Sequence, residues 1–368
     1  MIEYDGIGPE KILEIYNPKL GMKGYVVIHS TALGPGKGGI RMTPSVDKDE
    51  VFRLARAMSY KCSLHGLPFG GAKSGIIADD RNLTKKQKKE IVEAFADALK
   101  VVCPDMYVAA PDMNMAEEEM RWFAKKVGSK KACTGKPKDM GGIPHELGST
   151  GFGVYHATLV GLGNLSLDVK DVSFAVEGFG NVGWFACKYL TEAGARLAAV
   201  SDSKGMIYNE NGLNFKKLDE VKRKTGSIVN YKDGKVLKGR DIISVDCDVL
   251  ITAAIPDLIN VKDVNKIKAK LIVEGSNIPM SDETEEKLHA KGILVIPDFV
   301  ANAGGVISSY VEYINGSVKT MFKMVEDKIT KTTNEVLKLS SKEKCKPRDV
   351  AMRLARKRIL SKCKICKD

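Results

Sequence analysis

The segment Gly178-Phe-Gly-Asn-Val-Gly183 limits what this chain can fold into more than any other. It follows the apolar run 172–177 and opens the helical pattern 184–190, and a second apolar run ends at Ser201-Asp202. Glycines at that spacing between a strand and a helix make the tight turn, leave room for a pyrophosphate and let the helix pack close on the sheet. The start of the helix then offers free N–H groups to phosphates. Further short apolar runs at 248–253, Leu271–Glu274 and 293–296 alternate with helical patterns or loops, as in a parallel sheet with crossover helices. The expected fold is therefore α/β with a Rossmann-type dinucleotide-binding domain, in which Gly178, Gly180, Asn181, Val182 and Gly183 meet the cofactor. Asp202 lies near where an acid bonds the adenosine ribose hydroxyls, which argues for NAD. Ser203 and Lys204 beside it suit the extra phosphate of NADP, so both cofactors stay open.

At 368 residues the chain has room for a second domain of ordinary size. No apolar run reaches the ~20 residues of a membrane span, and residues 1–10 lack the basic head and apolar stretch of a secretory signal. Most of the eight cysteines sit in apolar segments, as buried reduced thiols do, which favours the cytoplasm. Cys363 and Cys366 form a lone C-x-x-C in a lysine-rich tail. Two further metal ligands are missing, so a solvated tail and no metal site are expected. The formal net charge of +12 is spread over helices rather than gathered in one block with aromatics. It reads as a lysine-rich surface serving an anionic substrate and cofactor, with neither nucleic acid nor membrane as partner.

Residues 25–31 read as a buried strand. Asp47 with Glu50 starts a helix whose apolar stripe is Val51, Leu54, Ala55, Met58 and Cys62, and Gly66 ends it. Thr84 with Gln87 starts another, which Pro104 stops. Residues 106–109 make a short strand, and Asn114 with Glu117 caps the next helix. Residues 130–142, rich in Lys, Gly and Pro, are the expected linker. Three lysines occupy glycine-bounded or apolar settings in this part. Lys37 ends a loop opened by Gly34-Pro35, Lys61 sits beside a helix stripe, and Lys73 ends the glycine turn 66–75. With Asp112 they suggest a pocket for an anion, in which a lysine and a carboxylate carry acid–base chemistry.

The chain resembles the glutamate/leucine/phenylalanine/valine dehydrogenase family. The resemblance rests on Gly34-Pro-Gly-Lys-Gly-Gly-Ile-Arg41, Ala57-Met-Ser-Tyr-Lys61, residues 67–75, Ala110-Pro-Asp112, Gly148-Ser-Thr-Gly-Phe-Gly-Val154, Gly178 to Gly183, Val273-Glu-Gly-Ser-Asn277 and Pro297-Asp-Phe-Val-Ala-Asn-Ala-Gly-Gly305, in family order over almost the full length. It implies that Lys73 activates water and Asp112 shuttles the proton of the amino group. Lys61, with Met58 close by, would bind the α-carboxylate. Lys37 matches the position that holds the side-chain carboxylate in glutamate dehydrogenases, and Ala110, Val306 and Ser309 match the rest of that pocket. Thr150 and Asn277 would touch the nicotinamide end, and Ala253 and Asn302 would add cofactor contacts. The resemblance further implies a substrate and oligomerisation domain at 1–147, a dinucleotide domain at 148–319 and C-terminal helices, about 320–368, that return to the first domain, with the active site in the cleft between domains. A cytoplasmic homo-oligomer, preferably a hexamer, is expected.

The implied reaction is NAD- or NADP-dependent oxidation of glutamate to 2-oxoglutarate and ammonia. The short N-terminus with His29-Ser-Thr-Ala-Leu-Gly34 resembles leucine-type enzymes instead, whereas Lys37 opposes them, because an ammonium facing an aliphatic side chain would be an uncompensated buried charge. Leucine or a branched-chain amino acid is the alternative substrate, and a non-catalytic dinucleotide-binding regulator the more remote one. Departures from the family pattern are Ser74, where glycine is common, Asp80 for proline, Met115 for threonine and Glu146 for arginine.

Overall fold

The computed structural model describes residues 4–367. The chain forms two compact units, one built from residues up to Leu147 with Val306–Met321 and the chain from Met352 on, the other from Gly148–Gly305 with Phe322–Ala351.

The first unit holds a five-stranded sheet of β1 (Lys11–Asn17), β2 (Met22–Ser30), β3 (Gly36–Thr43), β4 (Gly70–Ile77) and β5 (Tyr107–Pro111), in the order β1-β2-β4-β3-β5. The pairs β1/β2 and β2/β4 are antiparallel; β4/β3 and β3/β5 are parallel. The glycine-rich segments expected as a loop and a turn are thus strands. Glycine weakens a strand by itself, but here close approach demands it. A Cβ on Gly71 would stand 2.1 Å from the Ser59 amide nitrogen, so helix α1 (Lys48–Leu64) lies directly on β4.

Asp47 caps α1 by accepting from the Glu50 N–H, and the buried residues of the helix include Val51, Phe52, Ala55, Ser59 and Cys62. Leu54 and Met58 are only half-buried, so the stripe is turned from the expected one toward the small residues that fit against the glycines. Helix α2 (Lys85–Ala98) starts at the Thr84/Gln87 capping box and ends in a 3-10 turn before Pro104 is reached. Helix α3 (Glu117–Val127) is capped by the Glu119 carboxylate, which accepts from the Ala116 N–H. Asn114, the expected cap, instead sits at φ 58 in the turn closed by Met115 N–H on the Asp112 carbonyl, and donates to Met42 O. The expected linker 130–142 is a built part of this unit. Cys133 pairs with Ala109, and Ala132, Cys133, Thr134 and Lys136 are buried.

The second unit has a seven-stranded sheet of β6 (Ser173–Glu177), β7 (Arg196–Asp202), β8 (Gly205–Tyr208), β9 (Lys235–Leu237), β10 (Val249–Thr252), β11 (Leu271–Glu274) and β12 (Leu294–Ile296), ordered β12-β11-β10-β6-β7-β8-β9. The five expected strands pair in parallel and are buried on both faces; β8 and β9 add an antiparallel edge. Helices α4 (Ser149–Asn164), α5 (Asn181–Glu192), α6 (Phe215–Thr225), α7 (Asp282–Ala290) and α8 (Asp298–Ala301) follow the sequence order.

Three helices complete the chain: α9 (Gly304–Tyr313), α10 (Val318–Glu343) and α11 (Pro347–Leu360). The expected return of 320–368 to the first unit is divided. Phe322 packs edge-on against Phe152, with ring centroids 5.0 Å apart, and Arg348 binds Glu274 at 2.7 Å, so 322–351 belongs to the dinucleotide unit. From Met352 on, the chain joins the first unit, where Ser63 donates to the Ala355 carbonyl. The tail is largely exposed, as expected, but it is tied down near its end. Cys363 and Cys366 form a disulfide, and the Lys367 N–H donates to Gly6 O at 2.8 Å. Among the described residues, no helix is long and apolar enough to cross a membrane.

Candidate active site

Register and alternation explain how the first unit gathers its charged groups. Lys37 pairs with Gly71 on β4 and Val108 on β5, and Gly39 pairs with Ala110. Side chains alternate across a strand, so Lys37, Arg41, Lys73, Ala110 and Asp112 share one face, with glycines between them. Ile40, Met42, Ala72, Ile76, Tyr107 and Ala109 take the opposite face and join the apolar core with Phe95 and Phe123. The face with the glycines receives α1, which carries Met58 and Lys61, both half-buried.

Lys73 Nζ lies 2.5 Å from Asp112 Oδ2, with 11% and 19% of the two side chains exposed. Gly39 keeps this space open, since a Cβ there would stand 3.3 Å from Lys73 Nζ and 2.8 Å from Asp112 Cβ. Burial alone would raise the Asp112 carboxyl, but the Lys73 ammonium and then the Arg41 guanidinium outweigh it and hold it below the usual carboxylate range. Arg41 donates from Nε to the same Oδ2 at 3.2 Å and also pairs with Glu50. Arg41 lies inside a motif singled out in the sequence, yet nothing there marks it as the second cation on Asp112. The serine at position 74 is also accounted for: Ser74 Oγ and the Tyr107 hydroxyl are 2.5 Å apart, and that hydroxyl lies 3.0 Å from Gly38 O, all buried.

Lys37 is only 1% exposed. Its Nζ donates to Ala109 O at 2.7 Å and Val108 O at 3.4 Å, and burial pushes it down to about 7. The carboxylate whose field reaches it, Glu312 on α9, is itself bonded to Lys136 Nζ at 2.5 Å and also accepts from the N–H groups of Gly135, Lys136 and Ile143. Glu312 thus pairs directly with Lys136 and reaches Lys37 only through its field. Lys136 and Glu312 were missed in the sequence, because nothing local links residues 176 apart. Helix α9 also carries Val306, buried, and Ser309, half-buried. Phe69 at the start of β4 packs edge-on against Tyr310 and Tyr313, with centroids 5.8 and 5.1 Å away.

In the second unit the fingerprint glycines are distinct in their surroundings. A Cβ on Gly183 would stand 1.9 Å from Gly178 O, the close helix–sheet approach. Gly178 has φ +92 and faces Ala254, whereas a Cβ on Gly180 would meet nothing within 4 Å. That open side at the N-terminus of α5, next to half-buried Asn181 and Val182, fits a pyrophosphate. Glu177 accepts from the N–H groups of Ala253, Ala254 and Ile255, which fixes the neighbouring loop. Thr150 stands in the first turn of α4, against which Gly304 and Gly305 press closely. Asn302 is buried and donates to Asn277 Oδ1 at 2.9 Å and Gly275 O at 3.3 Å, so it holds the loop that exposes Asn277. The Asp202 carboxylate faces inward, bonded to Lys222, Ser227, Lys204 and Ile228.

The chain is similar to known proteins over almost its whole length. Residues 9–129 match the family model for the Glu/Leu/Phe/Val dehydrogenase dimerisation domain, and residues 141–364 the model for glutamate/leucine/phenylalanine/valine dehydrogenase. The NADP-specific glutamate dehydrogenase of Saccharolobus shibatae is 36% identical, with 96% of this chain and 88% of that protein covered. The glutamate dehydrogenase of Aeropyrum pernix is also 36% identical, over 92% of this chain and 85% of that protein. The crystal structure of the hetero-hexameric glutamate dehydrogenase of Thermus thermophilus, in a leucine-bound form, superposes with a TM-score of 0.86 at 26% identity, covering 97% of this chain and 90% of that one. Similarity that runs through both units in sequence order makes this chain a member of the glutamate/leucine/phenylalanine/valine dehydrogenase family.

Proposed function

We propose that the chain is a glutamate dehydrogenase, catalysing the reversible reaction of L-glutamate, water and NAD(P)⁺ to 2-oxoglutarate, ammonium, reduced cofactor and a proton. The observation that supports glutamate most is the buried charge around Lys37: one carboxylate, Glu312, already paired with Lys136, against two ammonium groups. A substrate side-chain carboxylate supplies the missing anion in a dry setting, where pairing is strong. Ala110, Val306 and Ser309 complete that end of the pocket, and Lys61 with Met58 receives the α-carboxylate.

A bound nicotinamide dinucleotide, held by the 178–183 loop with Thr150, Ala253, Asn277 and Asn302, supplies the acceptor for the α-hydrogen and its electron pair. Asp112, ionised and hydrogen-bonded to Lys73, takes the proton of the substrate ammonium and later returns one to the departing ammonia. Lys73, as its ammonium, orients the water that adds to the imino acid and stabilises the developing carbonyl oxygen, and the water's proton passes to Asp112 once that carboxyl has returned its own to the departing amine. The working form is read as a cytoplasmic homo-hexamer. Light scattering on the purified chain, giving about six chain masses with no second subunit, is the expected result.

A branched aliphatic substrate is the second reading, favoured by the two carbonyl bonds that already satisfy Lys37. Steady-state kinetics with glutamate and leucine against both cofactors decides. We expect kcat/KM for glutamate to exceed that for leucine by at least about a hundredfold, because a site built for a carboxylate rejects an analogue that leaves its charge unpaired. A leucine preference of about tenfold overturns the proposal.

A further inference from the structure

The adenosine end of the dinucleotide site departs from what an acid after the second strand leads one to expect. In NAD-selective sites that acid keeps free lone pairs for the ribose hydroxyls, and its charge repels a phosphate. Asp202 ends β7, the parallel neighbour of β6, and Ser201 Oγ accepts from the Gly178 N–H, so the position is the customary one. The chemistry is not. The Asp202 side chain is 5% exposed and its Oδ2 accepts from Lys222 Nζ at 2.8 Å, Ser227 Oγ at 2.9 Å and the Ile228 N–H at 3.0 Å. Its Oδ1 accepts from the Lys204 N–H at 2.9 Å. Those donors occupy the roughly four acceptor sites of a carboxylate, and Lys222 cancels its charge. A ribose hydroxyl has nothing left to donate to without displacing a protein donor.

What remains toward solvent at this place is positive. Ser203 and Lys204 are exposed, and the Lys222 side chain, reaching back from α6, is 28% exposed. We infer that the chain selects NADP(H) over NAD(H), the 2′-phosphate of the adenosine ribose being received by Lys222 and Lys204 with the Ser203 hydroxyl. Asp202 serves as a positioning residue that fixes Lys222 rather than as a ribose ligand. Lys222 lies outside every motif of the sequence, and only the turn of the chain through α6 brings it to the end of β7. The inference rests on the reading of Gly178 to Gly183 as a dinucleotide site and is independent of the amino acid oxidised.

Calorimetric binding of two cofactor fragments, 2′,5′-ADP and 5′-AMP, tests it without turnover. The wild-type protein is expected to bind 2′,5′-ADP at least about tenfold more tightly, with a steeper fall as salt is raised. In Lys222→Ala and in Lys204→Ala the ratio of the two affinities should shrink toward one. Lys222→Arg, which keeps the charge, should preserve most of it and guards against a merely structural loss. Equal affinities in the wild type, or an undiminished ratio in Lys222→Ala, overturn the inference while leaving the dinucleotide site in place. Failure of both fragments to bind the folded protein overturns the site reading and the inference together.

Discussion

At the scale of single residues, the candidate chemistry depends on what each charge faces. Asp112 is held ionised between Lys73 and Arg41, which suits it to accept a proton and not to hold one. Asp112→Asn keeps shape and hydrogen bonding but removes the base, so kcat with glutamate should fall by about 10²–10⁴ with a smaller change in KM. Lys37 gives a pH signature. Its folded value near 7 lies below the ordinary lysine value of 10.5, so in the free protein the ammonium is present below about 7 and lost above it. A dicarboxylate such as glutarate needs the charged form. Its affinity should be flat below pH 7 and fall by up to about tenfold per unit above it, a slope that calorimetry in Lys37→Leu should no longer show. Stability runs with the opposite sign. Burying the charged lysine costs the fold below pH 7, and the cost is relieved as pH rises from about 7 toward 10.5.

At the scale of elements, two glycines of equal composition carry opposite duties. Gly71 exists for packing, since its Cβ would stand 2.1 Å from the Ser59 nitrogen and 2.5 Å from the Ala55 carbonyl oxygen of α1, both main-chain atoms that cannot rotate away. Gly71→Ala should lift α1 from β4 and cost about 1–3 kcal/mol or more in chemical denaturation. It should also weaken substrate binding, because α1 carries Met58 and Lys61. Gly180 faces open space, with φ −89 that any residue adopts. Gly180→Ala should leave the denaturation midpoint in place and weaken NADP binding, read by fluorescence titration. If the alanine there lowered stability and spared binding, the pyrophosphate reading of α5 would fail.

At the scale of the molecule, each unit is closed by segments distant in sequence. The dinucleotide unit is clasped by Arg348, which reaches Glu274, Glu285 and Asp298 together. Burial pushes the Glu274 carboxyl well up, and Arg348 opposes that. Removing the guanidinium in Arg348→Met leaves buried carboxylates unpaired, a loss of about 3–5 kcal/mol. Groups whose folded values are raised stabilise the fold below their unfolded values and lose that contribution as pH rises. The deficit of Arg348→Met should therefore shrink on acidification from pH 7 toward 5, as thermal denaturation of both proteins would show. The first unit is closed by the Lys136–Glu312 pair, which ties the 133–143 segment to α9 and leaves Lys37 the uncompensated cation.

Much of this protein follows from local chemistry. Capping at Asp47 and Thr84, the five parallel strands and the three fingerprint glycines are readable because each depends on residues a few positions apart, where propensity, periodicity and turn chemistry act. That Lys73 and Asp112 share a pocket is suggested by their local settings, and the family motifs then give each its role. The sequence misdescribes β3 and β4, since glycine reads locally as a turn, and only the approach of α1 and of neighbouring strands shows why a flat, side-chain-free surface is required. It is silent on which charges meet. Glu312 finds Lys136 and Asp202 finds Lys222 through the tertiary path of the chain. A carboxylate becomes a ligand or an internal clamp according to which donors the fold delivers to it.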